Sequence, residues 1–442
     1  MLLIYSLLFT LGVVVTAPYY LWRLRGNILS ASDWRERLGY LPRDFEQPAR
    51  GAIWVHAVSV GETLAVVNLV AELHRKYPAR KIFMSHVTLA GRGAGASRLP
   101  GIAGRFLLPL DWAANMRRVI GQIKPALLVI VETELWPNLL QVAREEGAGV
   151  LLVNGRISDR SFHRYRWIRF LMRKVLGNVN KICAQSEVDA ERFRSLGAEP
   201  DRVVVTGNLK FDARPPELGD LARRLSKSLA ASGRHPVLVA ASTMAGEEKL
   251  LLPVWQELRE RNPGALLILA PRHPARFEEV ARILEQAGSH FVQRTRLATD
   301  GDALASQIAG MDTILLDTIG ELAGVFELAD VVFMGGSLVP TGGHNVLEPA
   351  YWAKPIVFGP HMHNFRDIAQ LLLDRDAAVQ VRDVDTLKVE LSSLFNGPER
   401  RDQIGKAARK VLDDQRGVTG RVLEIAEQCM NSDAALAQER TS

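Results

Sequence analysis

Short apolar runs alternate with amphipathic stretches along the chain from residue 52 onward. The runs in the first half predict strands at 53–58, 81–85, 105–108, 127–131, 150–154, 181–184 and 202–206. Those in the second half predict strands at 237–241, 266–270, 313–316, 331–334 and 356–358. The stretches between them have helical periodicity, for example from Glu62 onward and after Trp136. Strands that alternate with helices form right-handed βαβ units, so the pattern predicts parallel sheets covered by helices.

The alternation is interrupted at 212–220, where Pro215, Pro216 and Gly219 favour a linker over a helix or a strand. A chain of 442 residues with 47% hydrophobic residues can bury a large core and is too long for one compact domain. We therefore predict two doubly wound α/β domains, at 23–213 and 214–442, that face each other across a cleft. A helical tail over about 387–428 is expected to pack back across both.

Residues 1–22 form an uncharged apolar run at the N-terminus. A helix of this length, at about 1.5 Å per residue, crosses a hydrocarbon core of roughly 30 Å. Arg23 and Arg25 follow the run and no Lys or Arg precedes it, so the body of the protein is expected in the cytoplasm. We predict a membrane anchor at 1–22. A cleaved signal peptide and a helix lying in one leaflet are the alternatives.

The net charge of +6 indicates an anionic partner without distinguishing a membrane, a nucleotide or a nucleic acid. The stretch 156–181 combines cations with aromatic rings: Arg160, Phe162, Arg164, Tyr165, Arg166, Trp167, Arg169, Phe170, Arg173 and Lys174. Such a stretch suits a membrane surface, and the predicted anchor favours lipid over nucleic acid. A solvated helix face is the alternative. Two distant cysteines, Cys183 and Cys429, make no disulfide framework, which fits a reducing compartment.

The most informative motif is the run from Gly335 to Pro349, GGSLVPTGGHNVLEP, which follows the strand predicted at 331–334. A helix is predicted to begin at Asn345. Glycines let the backbone approach a ligand, and a helix start presents unpaired N–H groups to an anion. Glu348 can accept hydrogen bonds from sugar hydroxyls. The run predicts a nucleotide-sugar pocket, and a glycine-rich turn between core elements is the alternative.

Charged residues also follow several predicted strands, where ligands of open α/β sheets bind. Glu62 follows 53–58 and opens a helix, so it is either a base or an acid that complements the helix dipole. Glu132 and Glu134 follow 127–131 and allow the same two interpretations. Lys210 follows 202–206 and either pairs with a substrate carboxylate or is solvated. In the second half, Arg272 follows 266–270 with a planar guanidinium that suits phosphate.

Several other sites find little support in the sequence. No His-Glu-x-x-His helix or clustered Asp-x-Asp motif occurs and the cysteines do not group, so no metal site is predicted. No Walker loop occurs and no Gly-x-Gly-x-x-Gly follows the first strand, which leaves nicotinamide chemistry unsupported. The turn 241–247 carries hydroxyl groups that either cap a helix or contact phosphate, and capping is favoured.

Taken together, the motifs resemble those of the bacterial 3-deoxy-D-manno-octulosonic acid (Kdo) transferases of lipid A assembly. The matching segments occur in the expected order over nearly the whole chain: WVHAVSVGE at 54–62, ETELWPN at 132–138, NGRISDRS at 154–161, GNLKFD at 207–212, PRHP at 271–274, the glycine run at 335–348 and GPHMHNF at 359–365.

The resemblance implies a GT-B glycosyltransferase, metal-independent and without a cofactor, anchored in the inner membrane with its catalytic body in the cytoplasm. It implies CMP-Kdo as donor, bound by 214–442, and the tetraacyldisaccharide 4′-phosphate precursor of lipid A (lipid IVA) as acceptor, bound by 23–213. Glu62 would be the general base, and Glu132 and Lys210 would support the transition state. The expected CMP-binding residues are Pro271, Arg272, Ile319, Gly320, Glu321, Asn345, Val346, Leu347 and Glu348.

The local chemistry is compatible with this implication. Glu62 would take the proton of the acceptor hydroxyl as it attacks the anomeric carbon opposite the nucleotide, which inverts the configuration. Helix-start amides and Arg272 would stabilise the departing CMP phosphate, and Lys210 would bind the Kdo carboxylate. The alternatives are another GT-B enzyme, such as a UDP-sugar transferase or a nucleotide-sugar 2-epimerase, and a non-catalytic membrane-tethered protein that binds nucleotide sugars.

Overall fold

The computed structural model describes residues 2–23, 30–42, 45, 51–213 and 217–439. The chain divides into two compact units: unit 1 comprises Met1–Ala213 and Gly417–Ser442, and unit 2 comprises Arg214–Arg416. Arg25 beside the predicted anchor and Pro215 and Pro216 in the predicted linker lie outside the described residues.

The strands of unit 1 are β1 (Ala52–His56), β2 (Ile82–His86), β3 (Gly104–Leu107), β4 (Pro125–Val131), β5 (Gly149–Gly155), β6 (Lys181–Ala184) and β7 (Val203–Val205). They form a parallel sheet in the order β3-β2-β1-β4-β5-β6-β7. The helices before unit 2 are α1 (Leu2–Arg23), α2 (Ala31–Arg37), α3 (Val60–Ala65), α4 (Val67–Lys76), α5 (Leu89–Arg98), α6 (Ala113–Ile123), α7 (Pro137–Glu145), α8 (Asp159–Trp167), α9 (Arg169–Leu176) and α10 (Glu187–Ser195).

Unit 2 repeats this architecture with strands β8 (Val237–Thr243), β9 (Leu266–Pro271), β10 (Phe291–Gln293), β11 (Thr313–Leu315), β12 (Val331–Met334), β13 (Ile356–Phe358) and β14 (Val379–Gln380). They form a parallel sheet in the order β10-β11-β9-β8-β12-β13-β14. Its helices are α11 (Asp220–Ser232), α12 (Glu247–Arg261), α13 (Phe277–Gln286), α14 (Gly301–Ala309), α15 (Leu322–Val325), α16 (Leu347–Tyr351), α17 (Arg366–Leu373), α18 (Val384–Asn396) and α19 (Pro398–Asp414). The last helix, α20 (Val418–Glu439), packs against α4 and β5 of unit 1.

Both faces of the central strands are buried, which explains why the strands are nearly continuous apolar runs. In unit 1, Trp54 and Leu128 face a core shared with α6, α7, α9 and α10. Ile53 and Val129 face a second core shared with α4 and α20. Helices thus cover both faces of the sheet and leave the carboxyl ends of the strands as the edge for ligands.

Each predicted strand overlaps a strand of the structure, so the predicted parallel α/β fold is confirmed. The sequence missed β10 and β14, the outer strands of the second sheet, because each has at most three residues and so almost no periodic signal. The helix predicted from Glu62 begins at Val60. The helix predicted from Asn345 begins at Leu347, because the Asn345 side chain accepts a hydrogen bond from the main chain of Leu347 (3.1 Å) and precedes the helix.

The N-terminal segment forms helix α1, but the predicted membrane-spanning anchor at 1–22 is not supported. Within the described residues, no helix has both the length and the apolar character needed to cross a membrane. Polar side chains of α1 contact other parts of unit 1. Tyr5 donates to Asp111 (3.0 Å), and Thr10 accepts a hydrogen bond from the indole of Trp112 (3.0 Å).

Candidate active site

Glu62 lies in the first turn of α3, directly after β1, with Ser59 as the N-cap residue of the helix. Its carboxylate accepts hydrogen bonds from the main-chain N–H of Val58 (2.8 Å) and from the hydroxyl of Ser59 (2.8 Å). Glu62 is 8% exposed, so its carboxylate is held in one orientation with little solvent around it.

Burial raises the pKa of the Glu62 carboxyl above its ordinary value. The hydrogen bonds from Val58 and Ser59 lower this pKa and the charge of Glu132 raises it, but burial is the largest effect. The dipole of α3, predicted from the sequence, favours the ionised form of Glu62. Burial acts in the opposite direction and has the largest effect on the pKa, and a carboxylate with a raised pKa is a stronger base.

Glu132 and Glu134 follow β4, which pairs with β1, so the two acids lie at the same edge of the sheet as Glu62. Glu132 has a left-handed backbone (φ 59°), and its N–H donates to the carbonyl of Val153 (2.9 Å). A non-glycine residue is seldom found in this conformation. Burial, then the charge of Glu62, then that of Glu132 raise the pKa of Glu134 to about 7. The fold therefore groups three carboxyl groups at this edge. The sequence placed Glu134 beside Glu132, but the family resemblance assigned a role only to Glu132.

Lys210 lies in a short 3-10 helix, Leu209–Asp212, after β7. The side-chain oxygen of Asn154 accepts a hydrogen bond from the main chain of Leu209 (3.0 Å), and that of Asn208 accepts one from Lys210 (3.0 Å). The 3-10 helix packs against α3, the helix that carries Glu62. Unit 1 thus brings the segment of Lys210 to the helix of Glu62 although 148 positions separate the two residues in the sequence.

In unit 2, the predicted ligand segments follow strands β11, β9 and β12 of one sheet, with β8 between β9 and β12. Because the sheet is parallel, the carboxyl ends of these strands lie at one edge. The segment 319–321 follows β11, Pro271 is the last residue of β9, and the glycine run at 335–348 follows β12.

The first part of the glycine run does not offer free N–H groups to a ligand, so the prediction that its N–H groups bind an anionic ligand is wrong for 336–338. The buried carboxylate of Glu247, at the start of α12, accepts hydrogen bonds from the N–H groups of Gly336 (2.6 Å), Ser337 (3.0 Å) and Leu338 (2.9 Å). A carboxylate of the protein itself therefore occupies this cluster of N–H groups. No local pattern indicates this contact, because 89 positions separate Glu247 from Gly336.

The second part of the glycine run is accessible at Asn345 and Glu348, which are both half-buried. The side-chain amide of Asn345 donates to the Glu348 carboxylate (3.1 Å), so the two side chains hold each other. Val346 and Leu347 point into the core and are at most 4% exposed. A nucleotide at this site would therefore contact Val346 and Leu347 through their main chain only.

Arg272 directly follows β9, and its charge acts on His344 of the glycine run. The main-chain N–H of Arg272 donates to the carbonyl of Thr243 (3.0 Å), and its side chain is exposed. Burial, then the charges of Arg272 and His273 lower the pKa of His344 to about 4. The His344 imidazole is therefore neutral near pH 7.

The residues of the segment 319–321, after β11, differ in their exposure and in their contacts. Ile319 and Gly320 are exposed, and Gly320 has a left-handed backbone (φ 91°). Glu321 forms an ion pair with Arg294 (2.6 Å). Burial alone would raise the pKa of Glu321, but hydrogen bonds from Arg294 and Thr318 outweigh it and lower the pKa. The Glu321 carboxylate is thus already engaged by the protein. Within the described residues, no three His, Cys, Asp or Glu side chains are grouped to hold a metal ion.

Comparisons with known proteins agree with this architecture. Residues 32–213 match the family model of 3-deoxy-D-manno-octulosonic-acid transferase (kdotransferase). The chain is 32% identical to a 3-deoxy-D-manno-octulosonic acid transferase of Haemophilus influenzae, over 88% of this chain and 90% of the relative. It is 33% identical to the transferase of the same name in Bordetella pertussis, over 95% of this chain and 98% of that relative. A crystal structure of a glycosyltransferase from Rickettsia africae superposes with a TM-score of 0.54 at 13% identity, covering 86% of this chain and 99% of that one.

The fold is that of a GT-B glycosyltransferase, with two parallel α/β units that carry their polar residues at the carboxyl ends of the strands. Within that class, the chain belongs to the 3-deoxy-D-manno-octulosonic acid transferase family.

Proposed function

We propose that this protein transfers Kdo from CMP-Kdo to a hydroxyl group of the lipid A precursor lipid IVA in lipopolysaccharide biosynthesis, with inversion at the anomeric carbon. The observation that carries the proposal is Glu62, a buried carboxylate of raised pKa at the carboxyl end of β1, in a member of the Kdo transferase family. A base of this kind suits the activation of an alcohol.

Glu62 acts as the general base in the proposed reaction. It accepts the proton of the acceptor hydroxyl while the hydroxyl oxygen forms a bond to the anomeric carbon of Kdo. The bond between that carbon and the phosphate oxygen breaks, and CMP leaves with the electron pair. Hydrogen bonds from Val58 and Ser59 orient the carboxylate, and burial keeps its pKa raised, so the fold supplies both orientation and basicity.

Lys210 and Glu132 support the transition state in this proposal. The ammonium group of Lys210, on the segment packed against α3, binds the carboxylate of Kdo. The negative charge of Glu132 stabilises the positive charge that develops at the anomeric carbon as the bond to CMP lengthens. The left-handed backbone at Glu132 is compatible with a functional role, because such conformations cluster at active sites.

Unit 2 binds the nucleotide in this proposal. Glu348, held by Asn345, accepts hydrogen bonds from the ribose hydroxyls, and the exposed guanidinium of Arg272 binds the phosphate. The main chain of Val346 and Leu347, the segment of Ile319, Gly320 and Glu321, and Pro271 complete the site. Arg272 offsets the negative charge that the phosphate gains as CMP departs.

A direct test is transfer by the purified full-length protein. CMP-Kdo and lipid IVA are incubated with the wild type or with Glu62→Gln, and the lipid is analysed by mass spectrometry. We expect the wild type to add the mass of Kdo, and the number of additions counts the sugars. Glu62→Gln should bind CMP normally and lose transfer. A wild type that binds UDP in preference to CMP in calorimetry, or a variant with full turnover, would contradict the proposal.

We further propose that unit 1 works at the cytoplasmic face of the inner membrane. At the junction of α8 and α9, Trp167 is 91% exposed and Phe170 is 69% exposed. Beside them lies a cavity of about 710 Å³, whose lining includes four arginines: Arg169, Arg173, Arg194 and Arg202. Exposed rings beside guanidinium groups suit the acyl boundary and the phosphates of an anionic lipid layer.

Vesicle sedimentation tests the membrane proposal. The wild type should bind phosphatidylglycerol vesicles more strongly than phosphatidylcholine vesicles, and Trp167→Ser should weaken this binding several-fold. Val389→Ser is the control, since Val389 is a comparably apolar residue of unit 2 with 64% exposure. Equal binding to both vesicle types, or an equal loss in both variants, would rule out this surface.

A further inference from the structure

Glu247 is a fully buried carboxylate that the proposed reaction does not use. Its Oε1 atom accepts the N–H groups of Ser337 (3.0 Å) and Leu338 (2.9 Å). Its Oε2 atom accepts those of Gly336 (2.6 Å) and Met244 (2.9 Å). The residue is 0% exposed, so it cannot touch a nucleotide.

Four main-chain N–H groups that converge on one point form a binding site for an anion. Here the anion is supplied by the protein, and both carboxylate oxygens are saturated by two N–H groups each. In the described part of the chain, Glu247 forms no ion pair with Lys, Arg or His, and its four hydrogen-bond donors are all main-chain N–H groups. Hydrogen bonds to a charged group are stronger than neutral ones, and the turn is therefore held firmly.

The turn 335–338, which Glu247 holds, is hydrogen-bonded to the residues that precede Asn345 of the candidate nucleotide site. The carbonyl of Gly336 accepts hydrogen bonds from the N–H of Gly343 (2.7 Å) and from the hydroxyl of Thr341 (3.0 Å). Gly336 has a left-handed backbone (φ 69°), and a Cβ atom there would lie 3.0 Å from the His344 ring. The position of Gly336 therefore sets the position of Gly343, two residues before Asn345.

A second set of contacts extends from the turn to the loop after β13. The hydroxyl of Ser337 accepts the N–H of Gly359 (2.8 Å), and the carbonyl of Ser337 accepts that of His361 (3.0 Å). On the other side, a Cβ atom at Gly335 would lie 2.6 Å from the carbonyl oxygen of Ser242. The carboxylate thus stands where the loops after three adjacent strands, β8, β12 and β13, meet.

We propose that Glu247 is a positioning residue for the nucleotide site: its carboxylate fixes the turn 335–338 and, through Gly336 and Gly343, the site formed by Asn345 and Glu348. This inference rests on the proposed function for the identity of the nucleotide. It also means that the phosphate of CMP takes its hydrogen bonds from groups other than the N–H groups of 336–338, because Glu247 already holds them.

The decisive variant is Glu247→Gln, which keeps the size of the side chain. Its amide NH₂ would face two of the N–H groups, so at least two hydrogen bonds are lost and the turn is released. We expect CMP affinity, measured by calorimetry, to fall at least tenfold. KM for CMP-Kdo should rise by a similar factor, while kcat at saturating donor changes less than threefold, because the reacting groups are untouched.

The matched control is Leu258→Ala, which empties a buried site on the same helix without touching the turn. It should lose thermal stability and keep its CMP affinity. Equal CMP affinity of the two variants would overturn the inference. If Glu247→Gln fails to fold, Glu247→Asp takes its place. It keeps the carboxylate on a shorter side chain, and we expect a smaller loss of CMP affinity than in Glu247→Gln.

A measurement without nucleotide separates this inference from the proposed function. The amides of Gly336, Ser337 and Leu338 should exchange slowly with deuterium in the wild type and at least tenfold faster in Glu247→Gln. Unchanged exchange would refute the role of Glu247 even if the wild type binds CMP. Failure of the wild type to bind CMP would refute the proposed function and leave the exchange result to decide the positioning of the turn.

Discussion

Ser59 and Glu62 hold each other at the N-terminus of α3. The Ser59 hydroxyl donates to the Glu62 carboxylate (2.8 Å) and accepts a hydrogen bond from the main-chain N–H of Glu62 (3.4 Å). Ser59 is thereby both the N-cap of the helix and a partner of the candidate base. The two functions affect different measurements, because capping affects the stability of the protein and the hydrogen bond affects the pKa of Glu62.

Ser59→Ala should shift the pH dependence of transfer. The hydrogen bond from Ser59 lowers the pKa of Glu62, so its removal should raise that pKa further. The acidic limb of the profile of kcat/KM against pH should therefore move to higher pH. Loss of the cap should cost about 1 kcal/mol of stability. Ser186→Ala, which removes the N-cap of α10, is the control and should leave the limb in place.

Glu134→Gln should change how stability depends on pH. The pKa of Glu134 is raised to about 7 in the folded state from an ordinary value of 4.5, so the folded protein binds this proton more tightly than the unfolded chain does. The wild type should therefore lose stability as pH rises from about 4.5 to about 7. With allowance for solvent screening, the loss should be about 1–2 kcal/mol.

Urea unfolding at pH 5 and pH 8 measures this effect. The stability of Glu134→Gln relative to that of the wild type should be higher at pH 8 than at pH 5, because the variant has no carboxyl group at position 134 to ionise. Parallel changes in the two proteins would show that Glu134 does not titrate in this range.

Glu348→Ala should weaken the binding of CMP. The change removes the carboxylate proposed to accept the ribose hydroxyls and also the partner that holds Asn345. We expect about a tenfold loss of affinity in calorimetry, which corresponds to about 1.4 kcal/mol. Glu257→Ala, on α12 in the same unit, should bind CMP as the wild type does. An affinity for CMP that survives Glu348→Ala would remove Glu348 from the ribose site.

Transfer should be insensitive to EDTA. The proposed leaving group is a monophosphate, which gains less charge than a diphosphate, and Arg272 together with main-chain N–H groups is expected to stabilise it. The measurement compares initial rates of Kdo transfer with EDTA, without EDTA and with added Mg²⁺. A loss of activity in EDTA that Mg²⁺ restores would require a different account of how CMP departs.

Much of the fold follows from local pattern. The runs 181–184, 331–334 and 356–358 coincide with β6, β12 and β13, because strands buried on both faces are apolar and end where polar residues begin. Asn345 shows where local pattern fails. A residue with strong capping preference was expected to open a helix, and its side chain instead forms a turn that delays the helix to Leu347.

The sequence by itself determined the α/β class, the order of the strands along the chain and the polar residues that follow them, since these depend on periodicity and residue type within short windows. Only the tertiary structure decided the environment of those residues. Burial, which raises the pKa of Glu62 against the helix dipole, and the contact that lets Glu247 occupy the N–H groups of 336–338 both arise from segments distant in sequence. Electrostatic and hydrogen-bonding partners of this kind are set by packing across the whole unit, which no local pattern encodes.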